Sequence, residues 1–189
     1  HRKNWKSALE EAQPILNGTL TCRQQPKNVF SELMNFALDS GNLQRAKKYA
    51  ELFEMVSEKI PKENKWALMR YYAFMDLEQG VDYFCIVLPN ILLTQNQNRQ
   101  QNFYKNAYVL WTQYAKKYDS VALELPKHFA LYQEDGLYEP KTLAEWFYKQ
   151  AIMIAKRFDD RNGYPFYQNS IAYTIEGMKK LEIALSDGK

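Results

Sequence analysis

The chain of 189 residues carries 25 basic and 22 acidic side chains, a net charge of +3, and is 46% hydrophobic. That length and apolar content suffice for one domain with a sizeable core, while the net charge is too small to imply nucleic acid or an anionic membrane surface as a partner, and neither is expected. Two cysteines, Cys22 and Cys85, are too few and too far apart for a disulfide scaffold or a zinc site, and the longest apolar stretch, residues 83–93, is broken by Pro89 and Asn90 and falls well short of the roughly 20 residues a membrane helix needs.

Only 7 Gly and 7 Pro occur beside 10 Phe, 14 Tyr and 4 Trp, which favours long helices with few turns and abundant aromatic packing. Residues 5–13 place Trp5, Ala8, Leu9 and Ala12 at helical spacing, and Pro14 is expected to end that helix. After a polar loop over residues 17–25, Pro26 opens a second helix with Val29, Leu33 and Ala37 in one row and Phe30, Met34 and Leu38 in the next. Asp39-Ser40-Gly41-Asn42 supplies a turn, and a third helix runs from Leu43, with Ala46, Ala50 and Phe53 on one face, until Ile60-Pro61.

Residues 66–77 are apolar almost all round and predict a helix buried between neighbours, followed by a turn at Glu78-Gln79-Gly80. The next helix, from Val81, is expected to run into Pro89, and the Asn/Gln tract of residues 94–102 reads as a mobile loop and a point of subdivision. Residues 103–118 carry Tyr104, Ala107, Tyr108, Trp111, Tyr114, Ala115 and Tyr118 at strongly amphipathic spacing. Pro126 begins a short helix through Leu131; residues 142–158 form a long one; Asp159 to Pro165 turns the chain; residues 166–185 form the last. No run of period-two alternation predicts a strand.

With Gly41 in the inter-helix turn, Phe30, Leu33 and Ala46 take the large, leucine and small positions of a tetratricopeptide-like hairpin. Met34, Ala37 and Ala50 depart from that pattern, and Pro61 comes a few residues late. Ala46-Lys47-Lys48-Tyr49, Ala115-Lys116-Lys117-Tyr118 and Ala155-Lys156-Arg157-Phe158 recur at irregular separations, which fits diverged helical pairs rather than a regular array. The order of residues 41–49, then 66–74 (Trp-Ala-Leu-Met-Arg-Tyr-Tyr-Ala-Phe), then 125–134 (Leu-Pro-Lys-His-Phe-Ala-Leu-Tyr-Gln-Glu) resembles the C-terminal part of an uncharacterised family of large membrane proteins of the Bacteroides group. The resemblance implies bacterial origin, multi-pass segments ahead of a tetratricopeptide-like tail, and membrane or cell-envelope association through a portion preceding His1. That agrees with a chain opening on His1 without an initiator methionine or signal-peptide pattern.

The expected fold is therefore all-α, a single domain over residues 1–189, with irregular antiparallel helical pairs stacked as a short tetratricopeptide-like solenoid or a compact bundle. No cluster supports catalysis, a cofactor or a metal. His128 lacks a helper, and Asp159-Asp160-Arg161-Asn162-Gly163 lacks the ligand spacing of a calcium loop. The adjacent pairs Glu10-Glu11 and Glu134-Asp135 point different ways on a helix, and no glycine pattern cradles a phosphate. Some aromatic surface should remain, because Tyr71-Tyr72 and Tyr164-Pro165-Phe166-Tyr167 cannot all face inward. Tyr71, Tyr72, Tyr164, Phe166 and Tyr167 are accordingly the candidate partner-binding residues. The expected function is non-enzymatic protein or peptide binding; the alternative is a cell-envelope accessory that binds carbohydrate or peptide during nutrient uptake.

Overall fold

Helical periodicity governs the chain, and the computed structural model describes it over residues 5–17, 19, 25–57, 66–118, 123–124 and 137–187. The described residues form eight helices: α1 (Trp5–Leu16), α2 (Gln25–Asp39), α3 (Leu43–Ser57), α4 (Trp66–Met75), α5 (Leu77–Leu93), α6 (Gln97–Lys117), α7 (Pro140–Asn162) and α8 (Phe166–Asp187). Strands β1 (Leu123–Glu124) and β2 (Leu137–Tyr138) add a two-residue antiparallel ladder that pairs Leu123 with Tyr138 and Glu124 with Leu137. The protein is all-α, with this ladder as a local pin.

Helices α2 and α3 form an antiparallel hairpin because Gly41 adopts φ +76°, a left-handed conformation that a Cβ disfavours. The Gly41 amide donates to the Leu38 carbonyl and the Asn42 amide to the Ala37 carbonyl, which satisfies orphan acceptors at the end of α2. Phe30, Leu33 and Ala46 are buried in the hairpin's core with Met34, Leu38, Ala50 and Phe53. α4 then packs against α2, α3, α5 and α6, so its nearly continuous apolar surface is covered from several sides.

A second cluster centres on Phe84, whose ring meets Trp111 edge-on at 5.0 Å and Phe147 at 5.4 Å and stacks on Phe103 at 5.6 Å. Fully burying each such aromatic side chain contributes about 1.5–3 kcal/mol. Trp66, Phe74 and Tyr83 pack against both clusters. α8 packs on α7 and returns to α2. A solenoid's units touch only their neighbours, so a helix returning to the first hairpin makes this packing that of a compact bundle.

Several predicted boundaries move, each for a local reason. Pro14 lies inside α1, in its last turn, where little helix remains to disrupt. Pro89 lies inside α5, and the helix continues because Ile91 beyond it is buried. The turn expected at Glu78-Gln79-Gly80 occurs two residues earlier at Asp76, whose carboxylate accepts the Gln79 amide and starts α5. The Asn/Gln tract is mostly helix: Asn96 caps α6 by accepting the Arg99 amide at 3.1 Å, and the Gln100 side chain donates to the Thr94 carbonyl at 2.9 Å. Asp159 to Asn162 extend α7, which ends at Gly163 with φ +66°. The short helix expected from Pro126, with His128 and Glu134-Asp135, lies outside the described residues, as does Cys22.

Candidate functional site

Three helices present polar stripes toward one another at the i, i+3, i+4, i+7 spacing usually reserved for core residues. α2 contributes Glu32, Asn35, Phe36 and Asp39, α6 contributes Asn98, Gln101, Asn102 and Lys105, and α8 contributes Phe166, Asn169, Ser170 and Tyr173. With Arg70 from α4, Tyr164 and Tyr167 they enclose a cleft of about 400 Å³. The space exists because α8 crosses the end of α2 at Gly177, where a Cβ would lie 2.5 Å from the Asp39 Cα and 2.6 Å from the Leu38 carbonyl oxygen. No larger residue permits that approach.

Arg70 forms the floor. It is 1% exposed, and one of its terminal nitrogens lies 2.6 Å from an Asp39 carboxylate oxygen. Its Nε has no partner, and neither does Nε2 of Gln101, which is also 1% exposed, nor the buried Oδ1 of Asn35. Lys105 bridges α6 to α8 by donating to the Ser170 hydroxyl at 2.9 Å. Desolvation at the cleft wall holds the Glu32 carboxyl above its usual range, an effect that Lys105 opposes and Asp39 reinforces. Behind this wall, both amide atoms of Asn106 and the Thr174 hydroxyl are buried without partners. Each unmatched buried polar group costs roughly 1–3 kcal/mol, so this concentration opposes folding stability.

Aromatic rings form the lip. Tyr164 is 56%, Phe166 58% and Tyr173 43% exposed, while Tyr167 turns inward and stacks on Phe158 at 4.7 Å. Asp159 holds this lip in place. Its two carboxylate oxygens accept the Tyr167 and Gln168 amides, each at 2.9 Å, and the Gln168 side chain at 3.1 Å. Burial would raise its pKa, but the hydrogen bonds from Gln168, Tyr167 and Phe166 outweigh that effect and hold the carboxyl below its ordinary value. The residues that superficially suggested a calcium loop are thus a helix end and a clasp.

Of the five aromatic residues expected to meet a partner, Tyr164, Phe166 and Tyr167 converge at the cleft. Tyr71 and Tyr72 lie elsewhere. Tyr71 is 5% exposed in the first core cluster, because α4 is surrounded. Tyr72 stacks on Tyr83 at 5.4 Å, and both hydroxyls donate to one Glu54 oxygen, at 2.9 and 3.1 Å. That pin joins α3, α4 and α5, and burial together with Glu54 raises both phenols, Tyr83 to about 12. Arg70, Asp39, Asn35, Gln101 and Lys105 were not legible as site residues, though the polar i, i+3, i+4, i+7 rows were a usable signal.

Among the described residues, no group of three or more His, Cys, Asp or Glu side chains is placed to hold a metal ion, and no helix is long and apolar enough to cross a membrane. Cys85 is a half-buried free thiol, pushed up by burial and then by Asp82. No family model matches the chain, and neither a curated protein nor a solved structure matches it significantly.

Proposed function

We propose that this chain is a non-enzymatic interaction module that captures a peptide segment of a partner protein in the cleft between α2, α4, α6 and α8. The observation carrying the reading is the set of unpartnered buried polar atoms on Arg70, Gln101 and Asn35 beneath the exposed rings of Tyr164, Phe166 and Tyr173. Such a floor holds a polar ligand in register, and such a lip supplies the aromatic area that dominates recognition hot spots. The tetratricopeptide likeness of the α2–α3 hairpin favours an interaction module, and the family resemblance of residues 41–49, 66–74 and 125–134 favours the tail of a larger membrane-associated protein.

A second reading, a cell-envelope accessory that binds carbohydrate, draws support from the exposed ring faces of Tyr164 and Phe166 beside amide side chains. One experiment separates the two: the full chain is screened against displayed peptide and glycan libraries, beside variants Tyr164→Ala and Asn102→Ala. Peptide binding weakened about tenfold by either change, with an unaltered thermal midpoint, is the expected result. Glycan binding alone, or peptide binding indifferent to both changes, would overturn the peptide assignment.

A further inference from the structure

We infer that the cleft reads the main chain of an extended, net-neutral peptide segment through side-chain amides, seating one aromatic or aliphatic side chain of that segment on the Tyr164–Phe166–Tyr173 lip. This rests on the interaction-module reading and specifies its ligand. A peptide unit offers one C=O acceptor and one N–H donor. Side chains that line the cleft carry both kinds of group that such a unit needs without a protein partner: Gln101 Nε2 and Arg70 Nε are donors and Asn35 Oδ1 is an acceptor, each shielded from solvent and reaching a ligand by a turn of its side chain. Asn98, Asn102 and Asn169 continue the same amide chemistry along the walls.

Charge argues the same way. Arg70 is neutralised by Asp39, and the other ionisable pair facing the cleft, Lys105 and Glu32, is also of opposite sign. No net field therefore selects a charged ligand. Scale agrees too, since a seven-residue offset along a helix spans ~10 Å at 1.5 Å per residue, the reach of about three residues of extended chain.

Two measurements on the full chain test this. An eight-residue peptide selected from a random displayed library is synthesised with each main-chain nitrogen methylated in turn. Methylation at one or more central positions should weaken binding about tenfold, and affinity should vary less than about threefold between roughly 0.05 and 0.5 M salt. Tolerance of every methylation, or a steep loss with salt, overturns main-chain reading while leaving peptide capture intact. The second measurement uses Gln101→Met, which removes an unmatched buried amide. It should raise the thermal midpoint by about 2–4 °C while weakening the peptide about tenfold. A lowered midpoint with unchanged binding would make Gln101 structural and sink the proposal. Recovery of no peptide at all would overturn the interaction reading, and this inference with it.

Discussion

Asp159 shows how much one side chain organises here. With 4% exposure it receives two backbone amides and one side-chain amide, and so fixes both the start of α8 and the aromatic lip of the cleft. Its folded pKa is depressed, so its stabilisation is present above the unfolded value near 3.8 and is lost as the pH falls through the lower folded value. Asp159→Asn should therefore cost about 0.5–2 kcal/mol at neutral pH, the range of a lost helix cap. The difference from the parent chain should vanish in acid. Urea titrations at several pH values check this, and a difference that persists unchanged at the lowest pH would refute the clasp's charge dependence.

At the scale of elements, the close crossing of α8 over α2 decides whether the cleft exists. Gly177 is buried within α8, and an added methyl would overlap the Asp39 and Leu38 backbone, which cannot move aside as a flexible side chain would. Gly177→Ala should destabilise the protein by about 1–3 kcal/mol even though alanine is the better helix former. It should also weaken cleft binding, because Asp39 would move relative to Arg70. Chemical denaturation together with peptide titration reads both effects; a variant as stable as the parent would show that α8 does not approach so closely. Gly41 faces a related constraint in the same region, since its positive φ is accompanied by the Lys180 Cβ only 2.7 Å from where a methyl would sit. A sequence reader sees Gly41 easily, because it falls between two periodic runs. Gly177 inside an amphipathic run looks like a tolerated defect.

Across the whole molecule, two apolar clusters meet at Trp66, Phe74 and Tyr83, and α8 contributes Leu181 to the first and Ile171 and Met178 to the second. That continuity predicts one cooperative unfolding unit among the described helices. Phe84→Ala, in the second cluster, should cost about 3–5 kcal/mol and lower amide protection in α3 as much as in α6. Hydrogen exchange read helix by helix checks this, and unchanged protection in α3 would divide the bundle into independent parts. The all-helical character and the turn at Gly41 follow from local facts: apolar residues at helical spacing, few breakers, and one glycine between two such runs. That some aromatic surface remains was legible for the same reason, because Tyr164, Phe166 and Tyr167 crowd one turn that cannot bury them all: Tyr164 and Phe166 are exposed and Tyr167 is half-buried. The places of Tyr71, buried in the first cluster, and Tyr72, half-buried against Glu54 and Tyr83, were not legible, because they depend on how α4 packs against its neighbouring helices. The sequence by itself determined that the chain is mainly helical and where most helices run, but not that residues 97–102 join α6 or that Asp159 to Asn162 extend α7. Only the tertiary structure decided that α8 returns to α2, turning polar rows on three helices into the walls of one cleft, because that contact depends on close packing between segments about 140 residues apart rather than on any local preference.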